Sequence, residues 1–344
     1  HITGPAGSGK SLVVAARAAH LANEGKSVLV ATFNITLWHY LRDLIVRNLR
    51  VAKNISNIEM THFHAWCKDV CYENGYDFEI AQYEKLFDFP DEDQKRLQQV
   101  LNQELPILID QLIENRGTQS YDAILIDEGQ DYLPSWIKTL AKACKPGGEI
   151  LFVSDDTQNV YGTAQLRNDN NMRDAGFYVS PYHLKQTYRL GSATAALARN
   201  FAQSFLPNER CDLPIPAQGS LELEQDHLKW VQANDGNGPL LCSEELLSFM
   251  KRTGKNSAAN SDIIILTEDM KSGELISDLL KNRYSINTRN TYGGDHRSKK
   301  MAFFMGDAAV KATTIHSFKG WESRLIIVYV TDAESEEALA TIYT

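Results

Sequence analysis

GPAGSGKS, residues 4–11, decides how the first half of this chain is read. It fits the phosphate-binding loop G-x-x-x-x-G-K-[ST], which needs a strand in front and a helix behind. The helix is legible: SLVVAARAAHLANEG, residues 11–25, is rich in helix formers and closes on Gly25. Only His1-Ile2-Thr3 precedes the loop, so its strand is a stub, and no initiator Met stands there. The expectation is a piece of a larger protein. In such a loop the backbone N–H groups of Gly4, Gly7, Ser8 and Gly9 face phosphate oxygens, and the helix N-terminus adds partial positive charge. Lys10 would reach the β- and γ-phosphates, and the Ser11 hydroxyl would bind Mg²⁺.

A phosphate loop needs a carboxylate on a neighbouring strand. ILIDEGQD, residues 124–131, supplies one: an apolar strand ending in Asp127-Glu128. The C-terminal end of a strand is where open α/β sheets bind ligands. Asp127 is thus the candidate for Mg²⁺ and Glu128 the candidate to orient and deprotonate an attacking water. These two motifs together say NTPase. A nucleotide kinase or signalling ATPase would satisfy them equally.

Outward from these motifs the pattern alternates. SVLVATF (27–33), IEMTHF (58–63), YDAILID (121–127) and EILFVSD (149–155) read as strands. ITLWHYLRDLIVRNLR (35–50), HAWCKDVCYENG (64–75) and PSWIKTLAKACKPGG (134–148) read as helices. Strands alternating with helices predict an α/β fold with a parallel sheet covered on both faces. A polar stretch near 76–118 reads as a helical insertion with a break near Pro106. Beyond about 180 a second α/β unit follows: helices at 191–205 and 271–284, strands at 261–269, 310–315 and 324–330. The stretch 285–309 reads as a loop, and 206–260 yields no assignment. The expected domains are 1–180 and 181–344.

Composition narrows the class. With 43% hydrophobic residues, this is a globular chain with real cores. No apolar run approaches the roughly 18–20 residues that span a bilayer. Five scattered cysteines fit a reducing compartment, so the expected location is cytoplasmic. A net charge of −9 argues against a general electrostatic coat for nucleic acid, but not against a local groove or stacking platform. His62, His64, Cys67 and Cys71 carry zinc-ligand types. They crowd into ten residues across a strand-to-helix change, whereas structural zinc draws on two separated pieces of chain.

Further stretches sharpen the reading. LFVSDDTQNVYG (151–162) carries Gln158 and Tyr161, LKQTYRL (184–190) carries Arg189, and TTIHSFKGWES (313–323) carries Thr314, His316, Gly320 and Glu322. In order and spacing the set resembles superfamily 1 helicases of the UvrD/Rep type, over essentially the whole chain. The resemblance implies two RecA-like P-loop NTPase domains with ATP and Mg²⁺ in the interdomain cleft. It implies movement on single-stranded nucleic acid, DNA more than RNA, 3′-to-5′. By the same resemblance Gln158 senses the γ-phosphate and Arg189 reaches it from the second domain. Gly320 and Glu322 face the nucleotide. Phe33, Asn34, His64, Thr314 and His316 fall in regions that contact nucleic acid, and Tyr161 offers a ring for base stacking.

Three departures qualify the resemblance. Thr163 stands where the family often has a tryptophan. The span from Arg189 to Thr314 is short, implying a compact member of the kind attached to a nuclease-related domain outside this chain. The final ALATIYT (338–344) stops within the last family motif, before its arginine. The rival expectation is a degenerate helicase-like scaffold that binds nucleic acid with weak ATPase activity.

Overall fold

Val28–Thr32 is buried at every position, which is what a strand covered on both faces requires. In the computed structural model this strand, β2, pairs in parallel with Ile58–Thr61 (β3) on one side and Tyr121–Asp127 (β4) on the other. Cys144–Ser154 (β5) pairs with β4, Ile2–Thr3 (β1) with β5, and Tyr182–His183 (β6) with β1. The sheet order is thus β3-β2-β4-β5-β1-β6, parallel throughout. The structure describes residues 1–76, 95–116, 120–155, 169–205, 213–216, 228–252, 258–331, 339 and 342, apart from 97, 179, 189, 235, 295 and 305.

The period of two along each strand sorts side chains to opposite faces. Leu29, Ala31, Ile124, Ile126 and Phe152 face a core closed by helices Phe63–Glu73, Leu105–Arg116 and Pro134–Lys142. Val28, Val30, Ala123, Leu125 and Val153 face another, closed by Lys10–Asn23 (α1) and Trp38–Asn48 (α2). This is the α/β parallel architecture expected from the alternation.

The chain divides into two compact units: His1–Phe33 with Tyr40–Thr187, and Asn34–His39 with Tyr188–Thr344. The second unit has its own parallel sheet. Ile263–Thr267 (β7) lies between Val310–Thr314 (β9) and Leu325–Tyr329 (β10), and Thr288–Asn290 (β8) flanks β9. Helices Gly238–Met250 and Met270–Tyr284 close its core through Leu246, Ile276 and Leu280. Among the described residues no helix is long and apolar enough to cross a membrane.

Several expectations are corrected. The helix expected over 134–148 ends at Lys142, and Lys145–Gly148 belong to β5. Tyr121 pairs with Cys144 but Ala123 with Glu149, so this Lys-Pro-Gly-Gly stretch bulges out of the ladder. The Lys145 ammonium anchors the bulge on Asp122 at 2.7 Å. The expected break at Pro106 is absent, because a π-helical turn, Val100–Glu104, leads into Leu105–Arg116. Pro106 has no N–H for the Asn102 carbonyl, which instead accepts from the Ser135 hydroxyl at 3.3 Å. The 285–309 stretch contains β8 and a short helix, His296–Met301. Within the unassigned 206–260 lies Gly238–Met250.

Candidate nucleotide site

The carboxyl ends of β1, β5 and β4 share one edge of the first sheet, with Thr3 level with Ser154 and Ile126 with Phe152. The phosphate-loop segment leaves β1 at this edge. A Cβ on Gly4 would stand 2.7 Å from the Leu184 carbonyl oxygen, so only glycine fits there. Gly7 and Gly9 have φ of 71° and 92°, in the left-handed region that glycine enters without strain. Gly9 precedes α1 and supplies no side-chain cap, and the first turn of α1 holds no acid. The N–H groups that begin a helix have no intrahelical acceptors, so this end suits an anion.

Lys10 is buried, and its ammonium donates to the carbonyls of Gly4 at 2.7 Å and Pro5 at 2.9 Å. It also pairs with the fully buried Asp155 at 3.2 Å. The Ser11 side chain lies near enough to the Asp127 carboxyl to favour its charged form. Burial, then the charge of neighbouring Glu128, push the Asp127 carboxyl well above the usual carboxylate range. Its Oδ1 is buried without a hydrogen-bond partner, as is the Ser8 hydroxyl in the loop. A carboxylate oxygen left bare beside a serine hydroxyl has the oxygen donors a magnesium ion takes. The loop and these two atoms therefore fit a nucleotide with Mg²⁺.

Glu128 is buried and takes a left-handed backbone, φ 53°, which is uncommon for a residue with a side chain. The next residue has no room for one, since a Cβ on Gly129 would meet the Phe152 ring at 2.4 Å. Gln130 is fully buried, donates its amide to Glu128, and accepts the Asp155 backbone N–H at 2.9 Å. Lys10, Ser11, Asp127 and Glu128, singled out in the sequence, thus come together. Asp155 and Gln130 were missed as site residues. The signal for Asp155 was present: like Asp127, it follows an apolar strand at its carboxyl end.

Phe33 stacks on Trp136, with centroids 6.4 Å apart, and meets Tyr132 edge-on. His64 packs edge-on against Trp136 at 4.7 Å with Nε2 buried and unpartnered, and burial with nearby His62 pushes its pKa down to about 4. His62 accepts the Ala65 N–H at the start of its helix, and Cys67 and Cys71 are free thiols in the core.

The remaining described candidates lie in the second unit. Thr314 caps the turn Ile315–Phe318, accepting the Ser317 N–H at 3.4 Å. His316 is half-buried, Gly320 has φ 84°, and Glu322 is exposed. Asn34 donates its amide to the carbonyls of Lys319 at 2.8 Å and Ser317 at 3.3 Å. Its oxygen accepts the N–H and hydroxyl of Thr36, and the Thr36 hydroxyl accepts the Trp321 indole N–H at 2.9 Å. Gln158, Tyr161 and Arg189 lie outside the described residues.

Residues 1–164 match a protein family described as an AAA domain. No curated protein matches the chain in sequence. Among solved structures it is similar to that of T4 UvsW, at 11% identity and a TM-score of 0.30, over 100% of this chain and 60% of that one. It is also similar to the Sulfolobus solfataricus SWI2/SNF2 ATPase core in complex with dsDNA, at 10% identity and a TM-score of 0.26, over 96% of this chain and 83% of that one. The chain therefore spans about 60% of the length of the first of these. The candidate site of the first unit, from Gly4 to Asp155, falls inside the segment that matches the AAA domain.

Proposed function

We propose that this chain is an ATP hydrolase of the UvrD/Rep helicase type, coupling ATP hydrolysis to movement on single-stranded nucleic acid, DNA in preference to RNA and 3′-to-5′. The observation that carries the ATPase reading is the meeting of Ser11 with Asp127 beside Lys10 and Glu128 at one sheet edge. The AAA-domain match over 1–164 supports it. The two compact units, each with a parallel sheet, are read as the two RecA-like domains.

In this reading the loop N–H groups and Lys10 bind the phosphates. Ser11 and Asp127 hold Mg²⁺, which supplies positive charge beside them. Glu128 orients the attacking water and takes its proton. Gln158 and Arg189 add contacts to the γ-phosphate, where developing charge needs donors. Gly320 and Glu322 face the nucleotide. Phe33, Asn34, His64, Tyr161, Thr314 and His316 are assigned to the nucleic-acid track by family resemblance.

The test is steady-state ATP hydrolysis with and without oligo-dT and oligo-U, against a Lys10→Ala control. Stimulation by one polymer, lost in the control, supports a motor and names its track. Hydrolysis indifferent to both polymers would sink the motor.

A further inference from the structure

We propose that Gln130 is a positioning residue for Glu128, held in its orientation by the backbone of Asp155. The inference rests on the ATPase reading above. A glutamine amide offers an acceptor at one end and donors at the other, and a fully buried one needs partners at both. Here the oxygen takes the Asp155 N–H at 2.9 Å and the nitrogen donates to the Glu128 carboxylate. The neighbours leave one orientation. A flipped amide would set its oxygen against a carboxylate and its nitrogen against an N–H.

Asp155 is a firm anchor. It directly follows β5, the strand between β4 and β1, and its side chain is tied to Lys10. Glu128, in contrast, sits on a left-handed turn between strand and glycine. A catalytic carboxylate has to be held to within about 0.5 Å of its working geometry by a locked partner. Gln130 donates such a hydrogen bond to Glu128. Residues 4–5, 10, 155, 130 and 128 form one hydrogen-bonded path from the phosphate-loop segment to the proposed base.

The test uses the full chain and three readouts. Gln130→Glu keeps the shape but turns the donor into a carboxylate facing Glu128. The expected result is a kcat lower by about 10–100-fold, the range for losing an outer-shell partner. KM for ATP and the equilibrium Kd of a fluorescent ATP analogue should stay within about twofold, since phosphate binding is left to the loop and Lys10. Without nucleotide, the side-chain amide of Gln130 in protein labelled with ¹⁵N-glutamine should carry one downfield, slowly exchanging proton, and Glu128→Ala should return it to the range of the other glutamines.

An amide resonance indifferent to Glu128→Ala would overturn the proposal. So would a folded Gln130→Glu variant with unchanged kcat. A variant that loses binding, turnover and melting temperature together would make Gln130 a packing group and also overturn it. Absence of ATP hydrolysis in the wild-type chain, with the amide still tied to Glu128, would instead overturn the ATPase reading and Gln130's catalytic role with it.

Discussion

The ammonium of Lys10 lies 3.2 Å from the carboxylate of Asp155, and both groups are buried. The lysine that the loop motif assigns to phosphate is thus held by a carboxylate from the end of β5. Charge on each makes burial of the other tolerable, and the two residues are 145 positions apart in sequence.

Breaking that pair from one side should be costly. Lys10→Ala takes the paired ammonium from a buried carboxylate, and breaking a buried pair from one side typically costs about 3–5 kcal/mol. Lys10→Ala combined with Asp155→Asn removes the stranded charge, so the double variant should be more stable than Lys10→Ala alone. Urea unfolding of wild type, both single variants and the double variant measures the coupling. Additive losses would show that the pair contributes nothing.

Asp127→Asn should abolish turnover and stabilise the metal-free protein at alkaline pH. The Asp127 carboxyl is raised by burial and by Glu128. An acid raised in the folded state contributes its stability fully below its unfolded value, about 3.9, and loses it as pH rises through the folded value. The advantage of the Asn variant over wild type should therefore widen as pH climbs from about 3.9 to that raised value and level off above it. Melting temperatures across pH in EDTA check this. A constant difference would contradict it.

His64 should behave in the opposite sense. Burial and His62 push its pKa down to about 4. A base lowered in the folded state keeps its stability above its unfolded value, about 6.5, and loses it as pH falls through the folded value. Wild type should lose about 3 kcal/mol relative to His64→Gln between those two values, at 1.36 kcal/mol per unit. A His64 ring resonance titrating near 6.5 would refute the burial argument.

Asn34→Ala removes donors from the carbonyls of Ser317 and Lys319 and an acceptor from Thr36. Losing such bonds at a part-buried site costs about 1–3 kcal/mol. Hydrogen exchange over 315–321 should quicken, while exchange in β4 and β5 stays as in wild type. Unchanged exchange over 315–321 would mean that the Asn34 contacts do not hold that turn.

Gly129→Ala should destabilise the chain by about 1–3 kcal/mol, the usual cost of forcing extra volume into a packed site. The added methyl would meet the Phe152 ring. Phe152→Leu in the same chain should recover part of the loss in thermal melts. A Gly129→Ala variant as stable as wild type would show that the ring moves aside freely.

Much of the fold was legible because its signals are local. Four apolar residues ending in a threonine made each of β2 and β7, and the glycine-lysine-serine run marked the start of α1. What escaped was non-local. The Pro-Gly-Gly after Lys142 looked like a helix end, yet its place in β5 depends on a register shift against Tyr121–Ala123. The unbroken helix at Pro106 depends on a π-helical turn and on Ser135, 33 residues away.

By itself, the sequence determined the α/β class, the phosphate-loop segment and its helix, and the pairing of Lys10 and Ser11 with Asp127 and Glu128 as candidates. Those follow from residue type and short spacing. Only the tertiary structure decided that Asp155 holds Lys10, that Gln130 bridges Asp155 to Glu128, and that Asn34 hydrogen-bonds the 317–319 backbone. The reason is that a buried polar group must find its partner in three dimensions, and sheet order, which sequence spacing does not encode, determines which strand ends meet.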